Sequence, residues 1–421
     1  MHIGIYGSGY LGTVVAACLA DFGMPVTVYD EHAALSGAPY GDVPYHEKNL
    51  KDMARRNLRA GRLLYSSNLE TFAERSQVIF LAQDFGEQID QAAQQLARLT
   101  SSESLLVIVT PVPVGTARRI QTQLDELGYK IAVVAHPLFL TSGCAVEDFN
   151  WPDRILLGTN SNQAVTLMKQ IYRPLAMRGV PVIVTSFETA ELVREAATAF
   201  VATKISFINE IASLCEHVNA DAMDLALALG LDKKIAPRCL QPGAALGGQF
   251  VEGDLDALAQ LASSAGVSLK IIGAAREVNR TLADRIIAKM SLALHSLQGR
   301  EVGILGLSFK PHTNSVASSS SIQLAKILVG NGAHVRAYDP VAMADAKMEL
   351  NGSVRYCETA YAAAEGVDAL VLSTGWPEFR ALDYDRIKRL QRTPVLVDTK
   401  NLLDATRMRG MGFQYVSIGR A

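Results

Sequence analysis

The amino-acid sequence predicts an α/β fold in which two doubly wound, parallel-sheet domains are joined by a central domain built on a long helix. Three observations predict it. Short apolar strands alternate with helical stretches over residues 1–185, which is typical of a parallel sheet. An unbroken helical pattern opens the next segment, and a strand, turn, helix and strand return near residue 300. We therefore expect three domains, at residues 1–185, 186–298 and 299–421.

The first thirty residues have the order of a dinucleotide-binding unit. An apolar strand leads into a glycine-rich turn, and a helix and a second strand follow it up to Asp30. Gly7 permits the tight turn, Gly9 lets a pyrophosphate approach the backbone, and Gly12 lets the helix pack against the strand. Asp30 can accept both ribose hydroxyls, which favours NAD over NADP. We predict a Rossmann-like domain that binds NAD, and a glycine-rich turn of another α/β fold is the alternative. The predicted cofactor-binding residues are Gly7, Gly9, Tyr10, Leu11, Gly12 and Asp30.

The other elements of the first domain follow in order. A polar segment with turn signals at residues 36–41 precedes a charged helix expected over residues 46–62. Helices expected at residues 85–99 and 116–127 separate further apolar strands. Those strands are expected at residues 78–82, 105–109, 131–134, 155–158 and 182–184.

The central domain begins with a long helix. Ser186 can cap it, with Glu188 in the first turn. No glycine or proline interrupts the sequence from there until Gly230. A helix of roughly thirty residues is about 45 Å long. It can link two domains and carry a partner interface.

The last domain repeats the pattern of the first. A strand at residues 302–305 leads into a turn at Gly306 and a helix at 315–330, and a second strand ends at Asp339. Further strands are expected at residues 369–373 and 395–398. Two such units joined by a helical domain are expected to hold two ligands in the cleft between them.

Composition narrows the function classes. Apolar residues make up 49% of the 421 residues, charged residues 19%, and the net charge is −2, which predicts neither a nucleic-acid nor a membrane partner. We expect no signal peptide, because a strand starts at once. The five cysteines are scattered without metal-ligand spacing, and the histidines show none. They predict reduced thiols in a cytoplasmic protein without a metal site.

These features resemble the UDP-glucose/GDP-mannose dehydrogenase family over nearly the whole chain. The resemblance implies NAD as cofactor, a nucleotide sugar as the small-molecule ligand, and a homodimer that pairs across the long helix. It rests on motifs in the family order: Gly7–Gly12, Pro152–Ile155, Ala202–Ile211, Pro242-Gly243, Gly247-Gly248, Gly306–Pro311, Tyr338–Pro340, Trp376–Phe379 and Ile418–Arg420.

The resemblance also implies a reaction. Typical members oxidise the C6 alcohol of the sugar to a carboxylate in two hydride transfers to NAD. A base takes the alcohol proton, a cysteine holds the aldehyde as a hemithioacetal, and the thioester left by the second transfer is hydrolysed. A lysine and an asparagine on the long helix stabilise the oxyanion.

Six segments of this chain depart from that pattern. Phe250 stands at the nucleophile position, Gly253 at the nearby lysine position, and only Asp254 is retained. On the long helix, Arg194 and Thr198 replace the lysine and the asparagine, and an arginine cannot release a proton near neutral pH. The other departures are at residues 136–143, which lack both carboxylates, 110–115, where Pro111 replaces a threonine, 82–85 over the cofactor, and 312–319, which lack an arginine.

Three residues are candidates for a catalytic role. His136, whose unperturbed pKa is near neutral, could be an acid or base at the mouth of the cleft or a plain loop histidine. Cys144 could be a replacement nucleophile or a small apolar side chain. Asp254 could assist the reaction or cap the following helix. For substrate binding, the resemblance implies Arg194, Lys204, Asn209, Gly247, Gly248, Phe250 and Lys310.

Three hypotheses follow. We favour retained NAD binding with altered or lost chemistry. The first hypothesis is a homologue that binds NAD but has lost the family reaction. The second is an oxidoreductase that makes a single two-electron transfer between an alcohol and a carbonyl, with His136 or Asp254 assisting, since that step needs no cysteine. The third is an ordinary UDP-glucose 6-dehydrogenase that uses Cys144. Hydride transfer to NAD separates the first from the others, and the oxidation level of the product separates the second from the third.

Overall fold

The structure is a computed structural model that describes residues 1–31, 45–83, 88–101, 104–243, 245, 247 and 251–420. The chain forms two compact units, residues 1–196 and 197–421. The turn segment expected at residues 36–41 lies outside the described residues, as do Asp84, Phe85, Gly248 and Phe250.

The described residues of the first unit include eight strands in one sheet: β1 (Ile3–Tyr6), β2 (Val26–Tyr29), β3 (Leu63–Ser66), β4 (Val78–Leu81), β5 (Leu105–Ile108), β6 (Ala132–Ala135), β7 (Ile155–Gly158) and β8 (Val182–Thr185). The strand order is β3-β2-β1-β4-β5-β6-β7-β8. Neighbouring strands are parallel except β6 and β7, which pair antiparallel at Ala135 and Gly158. The order reverses between β1 and β4, so a crevice opens at their carboxyl ends, where doubly wound sheets bind ligands.

Helices cover both faces of this sheet. The helices are α1 (Tyr10–Asp21), α2 (Leu50–Arg59), α3 (Leu69–Arg75), α4 (Ile89–Leu99), α5 (Thr116–Glu126), α6 (Ala145–Asn150), α7 (Asn162–Ile171) and α8 (Arg173–Ala176). One face of the sheet packs mainly on α1, α2, α6 and α7, and the other face packs on α3, α4 and α5. This arrangement is the predicted doubly wound one.

Two local expectations were wrong. The helix expected over residues 46–62 is only α2, because Asn49 has a left-handed backbone (φ 67°) immediately before it. Residues after it form the edge strand β3, which apolar patterning did not predict because the strand is short and only Leu63 is fully buried.

The long helix predicted from Ser186 is present as α9 (Phe187–His217), 31 residues long. The Ser186 hydroxyl accepts a hydrogen bond from the backbone N–H of Thr189 at 3.2 Å. The predicted cap therefore satisfies one of the donors at the start of the helix.

The second unit combines helices with a second sheet. After α9 come α10 (Ala222–Leu231), α11 (Val251–Ser264) and α12 (Lys270–Leu294). Six described strands then form a parallel sheet: β9 (Glu301–Leu305), β10 (His334–Tyr338), β11 (Arg355–Tyr356), β12 (Ala369–Leu372), β13 (Val395–Asp398) and β14 (Gln414–Ser417). Their order is β11-β10-β9-β12-β13-β14.

Six shorter helices complete the second unit as described. They are α13 (Ser320–Gly330), α14 (Met343–Leu350), α15 (Ala360–Ala364), α16 (Pro377–Arg380), α17 (Tyr384–Leu390) and α18 (Ala405–Gly410).

The predicted α/β class, with two parallel-sheet domains and a central helical region, is confirmed.

A buried carboxylate closes the glycine turn of the second unit. Asp339, at the end of β10, accepts hydrogen bonds from the backbone N–H groups of Leu307 at 2.7 Å and Ser308 at 3.0 Å. Its other oxygen accepts from the N–H groups of Val341 and Ala342. In a dinucleotide-binding unit, turn N–H groups of this kind face phosphate. In the second unit the protein supplies the anion itself.

We predict that Asp339→Asn destabilises the second unit by about 2–4 kcal/mol, because the substitution removes a buried charge that accepts several hydrogen bonds. Chemical unfolding followed by circular dichroism measures the change. Asp385→Asn, at an exposed position in the first turn of α17, is the control and should cost no more than about 0.5 kcal/mol. Equal unfolding free energies for the two variants would contradict the role given to Asp339.

Candidate functional site

The glycine turn after β1 is built on close backbone contacts. Gly7 has a φ of +120°, and a Cβ there would lie 2.8 Å from the carbonyl oxygen of Ala82. A Cβ at Gly12 would collide with the carbonyl oxygen of Gly7. Any side chain at either position would push the turn, α1 and the end of β4 apart. Such a cradle fits the pyrophosphate of a dinucleotide.

Gly9 and Asp30 complete the predicted cofactor set. Gly9 precedes α1 in an extended conformation and brings no side chain to the start of the helix, where backbone N–H groups attract anions. Asp30 follows β2, and its N–H donates to the carbonyl of Ser66 at 3.0 Å. Since β1 and β2 are parallel and adjacent, the turn and the Asp30 carboxylate lie at the same edge of the sheet. These residues fit NAD.

Tyr10 and Leu11 direct their side chains into the protein. Leu11 packs in the core beneath α1, so its backbone is the part that can face a cofactor. The Tyr10 hydroxyl donates to the Glu47 carboxylate at 2.7 Å, and the N–H of Gly143 donates to the same oxygen at 2.6 Å. Burial and the Glu47 carboxylate raise the pKa of Tyr10. Glu47 therefore ties the glycine turn to the loop before α6, a contact that the sequence did not predict.

His136 lies in the core, not at the mouth of a cleft. It is 2% exposed, with Nδ1 2.7 Å from the carbonyl oxygen of Leu156 and Nε2 2.8 Å from the Tyr172 hydroxyl. A carbonyl oxygen only accepts, so Nδ1 carries the proton and Nε2 accepts from Tyr172. Burial lowers the pKa of His136 to about 4. Both ring nitrogens are thus engaged, which argues for a structural role.

Cys144 immediately precedes α6 and is partly buried. Like the other four cysteines, all within the described ranges, it forms no disulfide. Its loop is held by two carboxylates, since Glu47 binds Gly143 as above and the Asp148 carboxylate accepts from the N–H of Thr141 at 2.8 Å.

The segment that carries Pro111 is anchored to α9. The N–H groups of Gly115 and Ala117 donate to the Glu191 carboxylate at 2.6 and 2.8 Å. Glu191 therefore caps the start of α5 from 76 residues away, a role that sequence reasoning missed. Arg194, one turn further along α9, is partly exposed.

Two predicted site residues of the second unit hold its loops in place. The Lys204 ammonium donates to the carbonyls of Ile235 and Ala236 at 2.9 and 3.2 Å. The side-chain oxygen of Asn209, which is fully buried, accepts from the N–H of Gly243 at 2.8 Å.

Asp254 lies in the first turn of α11 and is buried. The Thr198 hydroxyl donates to its carboxylate at 3.0 Å. The retained carboxylate thus binds Thr198, which stands where the family has an asparagine on α9. Asp254 also lies in the first turn of α11, where a negative charge stabilises a helix.

A pocket of about 390 Å³ lies between α12, the start of α13 and the end of β13, and we name it the α12–α13 pocket. Lys400, which lines it, donates to the carbonyl of Gly243 at 3.2 Å. Burial lowers the pKa of Lys400 to about 8. No local sequence signal predicts a site role for this residue. Other lining residues are Ala245, Asn279, Ile286, Ser318, Ser319, Ser320, Gln323 and Thr399.

Gly247 and Lys310 lie near this region of the second unit. A Cβ at Gly247 would be 2.7 Å from the carbonyl oxygen of Ser318, so glycine permits the close approach of two loops. Lys310 is partly exposed, and its ammonium is 5.8 Å from the centre of the Phe309 ring. Gly248 and Phe250 lie outside the described residues.

Within the described residues, no helix combines the length and the apolar composition that a membrane span requires. No group of three or more histidine, cysteine, aspartate or glutamate side chains within the described ranges could hold a metal ion.

Comparison with known proteins identifies the family. Residues 1–176 match the NAD binding domain of the UDP-glucose/GDP-mannose dehydrogenase family, residues 188–281 its central domain, and residues 303–405 its UDP binding domain. The chain is 34% identical to the UDP-glucose 6-dehydrogenase TuaD of Bacillus subtilis over 99% of its length and 93% of the relative's. It is 35% identical to the UDP-glucose 6-dehydrogenase of Rhizobium meliloti over the full length of both.

A solved structure has the same fold. The UDP-glucose dehydrogenase of the archaeon Pyrobaculum islandicum superposes with a TM-score of 0.90 at 30% identity, covering 100% of this chain and 98% of that one. The matched NAD binding domain contains the turn at Gly7 and Asp30, and the predicted cofactor, NAD, is confirmed. From its sequence and its fold, the chain belongs to the UDP-glucose/GDP-mannose dehydrogenase family.

Proposed function

We propose that this chain binds NAD and a nucleotide sugar but does not carry out the four-electron oxidation typical of its family. The observation that carries the proposal is the phenylalanine at position 250, where the family's nucleophile is a cysteine. A phenyl ring cannot form the hemithioacetal from which the second hydride leaves. Fold and family membership do not restore that step, since activity depends on the site.

The proposed cofactor site uses the carboxyl edge of the first sheet. Gly7, Gly9 and Gly12 give the pyrophosphate room at the start of α1, where backbone N–H groups can bind it. The Asp30 carboxylate accepts hydrogen bonds from the ribose hydroxyls. When bound, NAD supplies a hydride acceptor. The residues named here bind and orient it.

The proposed nucleotide-sugar site is the α12–α13 pocket. A diphosphate needs cations and N–H donors, and this pocket offers the Lys400 ammonium beside the start of an 11-residue helix. The matched UDP binding domain, residues 303–405, includes both Lys400 and α13. Lys310 contributes to sugar binding in this proposal, since it is partly exposed and follows the glycine turn of that domain.

A second candidate function is a single two-electron transfer between an alcohol and a carbonyl. Asp254 favours it, because this carboxylate is retained and already accepts a hydrogen bond from a hydroxyl group, that of Thr198. Such a step needs a proton acceptor but no cysteine. His136 does not assist in this version, since both of its nitrogens are bound within the core.

We also propose a homodimer that pairs through α9. Three large apolar residues on this helix follow each other at intervals of seven, which places them on one face. They are Phe200, Phe207 and Leu214, which are 66%, 48% and 57% exposed. Large apolar side chains exposed on one face of a helix are typical of an interface.

We predict that calorimetric titration detects NAD binding and, separately, UDP binding, and that adding UDP-glucose to the NAD complex gives no rise in absorbance at about 340 nm. Gly12→Ala should weaken NAD binding at least about tenfold, because its Cβ collides with the Gly7 carbonyl. Its far-ultraviolet circular dichroism and thermal unfolding should match those of the unaltered chain, which reports that the first unit is folded. Gly273→Ala, where nothing lies within 4 Å of the added Cβ, is the control. Absence of NAD binding by the unaltered chain, or a sustained absorbance rise, would contradict the proposal.

We predict that UDP affinity falls as the pH rises through about 8. The pKa of Lys400 in the ligand-free chain is about 8, and an anionic diphosphate favours the protonated ammonium, so binding above that pH requires proton uptake. Lys400→Gln should bind UDP about tenfold more weakly at pH 7 and lose most of the pH dependence. The control is Lys347→Gln, at an exposed position on α14. A pH profile unchanged by Lys400→Gln would exclude Lys400 from the site.

We predict that the unaltered chain sediments as a dimer at micromolar concentration and that Phe200→Glu combined with Phe207→Glu gives a monomer, because buried unpaired carboxylates are costly. Leu292→Glu, on α12 at a position 79% exposed, is the matched apolar-to-acidic control and should remain dimeric. A monomeric unaltered chain would rule out the dimer.

A further inference from the structure

Two tyrosines end the first two strands of the NAD-binding domain. Tyr6 and Tyr29 are register partners on β1 and β2, and both are partly exposed. Their rings stack, with centroids 5.3 Å apart and planes at 15°. Tyr6 precedes Gly7 and Tyr29 precedes Asp30, so the aromatic pair adjoins both proposed contacts of the cofactor.

The pair lies on the face of the sheet opposite α1. Side chains alternate along a strand, and Ile5 and Val28, the preceding residues, pack in the core beneath α1. Tyr6 and Tyr29 pack against the other core, where Phe72 of α3 lies 5.6 Å from the Tyr29 ring. The core that contains Phe72 therefore supports the two rings, while part of each ring remains accessible.

The tyrosine pair lies at the acidic end of β2. Tyr6 and Tyr29 are the last residues of their strands, so both lie at the same edge of the sheet as Asp30 and Glu31. Burial raises the pKa of both tyrosines, and the Glu31 carboxylate raises each further. This is the edge at which the ribose is proposed to bind.

We propose that Tyr6 and Tyr29 form the platform on which the adenine of NAD packs. The inference rests on the proposed NAD site. With the pyrophosphate at the start of α1 and the ribose at Asp30, the adenine, which is bonded directly to that ribose, must lie beside the carboxyl ends of β1 and β2. On one side of the sheet α1 and its core fill this space. On the other side, the described residues that offer accessible surface at the ends of β1 and β2 include the tyrosine pair.

The chemistry of the pair suits an adenine. Aromatic rings attract the flat, weakly polar base through stacking or edge contacts. Each hydroxyl can also donate a hydrogen bond to a ring nitrogen of the base. The adenosine half of NAD should therefore supply a measurable share of the affinity, and AMP alone should bind where nicotinamide mononucleotide does not.

The test compares Tyr6→Leu combined with Tyr29→Leu against Tyr65→Leu. Leucine keeps an apolar side chain against Phe72 but removes the rings and hydroxyls. Tyr65, on the adjacent strand β3, packs against the core of the opposite face and is the matched control. Calorimetry should show affinities for NAD and AMP about tenfold weaker in the double variant and unchanged in the control. Unchanged far-ultraviolet circular dichroism and thermal unfolding verify that the first unit of each variant is folded.

A second measurement uses the unaltered chain, so the inference stays testable if the double variant does not fold. AMP should protect Tyr6 and Tyr29 from acetylation by N-acetylimidazole, read by peptide mass spectrometry, whereas nicotinamide mononucleotide should not. An unaltered chain that binds no NAD overturns the proposed cofactor site and this inference together. If the unaltered chain does bind NAD, two results would overturn the platform alone. One is an AMP affinity of the double variant equal to that of the unaltered chain, and the other is acetylation of both tyrosines that AMP does not prevent.

Discussion

The close approach of the turn after β1 to the end of β4 is the constraint on which the first unit depends. Two positions without side chains, Gly7 and Gly12, allow backbone to meet backbone there. The same contact brings the start of α1 to the carboxyl edge of the sheet, beside Asp30. The geometry that packs the domain is thus also the geometry that accepts a pyrophosphate, and a single methyl group at either glycine disturbs both.

The second unit repeats this layout but uses it differently. Its turn N–H groups bind Asp339, a carboxylate of the chain itself, so the turn serves stability. The ligand surface that we propose for that unit lies elsewhere, at the α12–α13 pocket, which Lys400 and the start of α13 both line. In this proposal, two related parallel-sheet domains hold different ligands by different means. In one a backbone cradle faces the crevice, and in the other a lysine faces a pocket between helices.

Local sequence signals predicted the glycine turn, Asp30, the Ser186 cap and the long helix, because each depends on residues within a few turns of chain. Sequence reasoning failed where a side chain meets a distant partner. Glu47 binds Tyr10 and Gly143, 37 and 96 residues away, and nothing in the residues around Glu47 indicates this. His136 follows a strand like many catalytic histidines, but only the folded chain reveals Leu156 and Tyr172 around its ring. Lys400 was missed for a similar reason, since its environment comes from α12, α13 and the Gly243 turn.

We propose that this chain has retained cofactor binding and lost the four-electron reaction. Incubation of the purified chain at stoichiometric concentration with NAD and UDP-glucose, followed by mass spectrometry of the recovered sugar, determines whether the sugar has been oxidised. We predict that UDP-glucose is recovered unchanged, together with NAD. Recovery of UDP-glucuronate would overturn the proposal, because that product requires both hydride transfers and a nucleophile in place of Phe250.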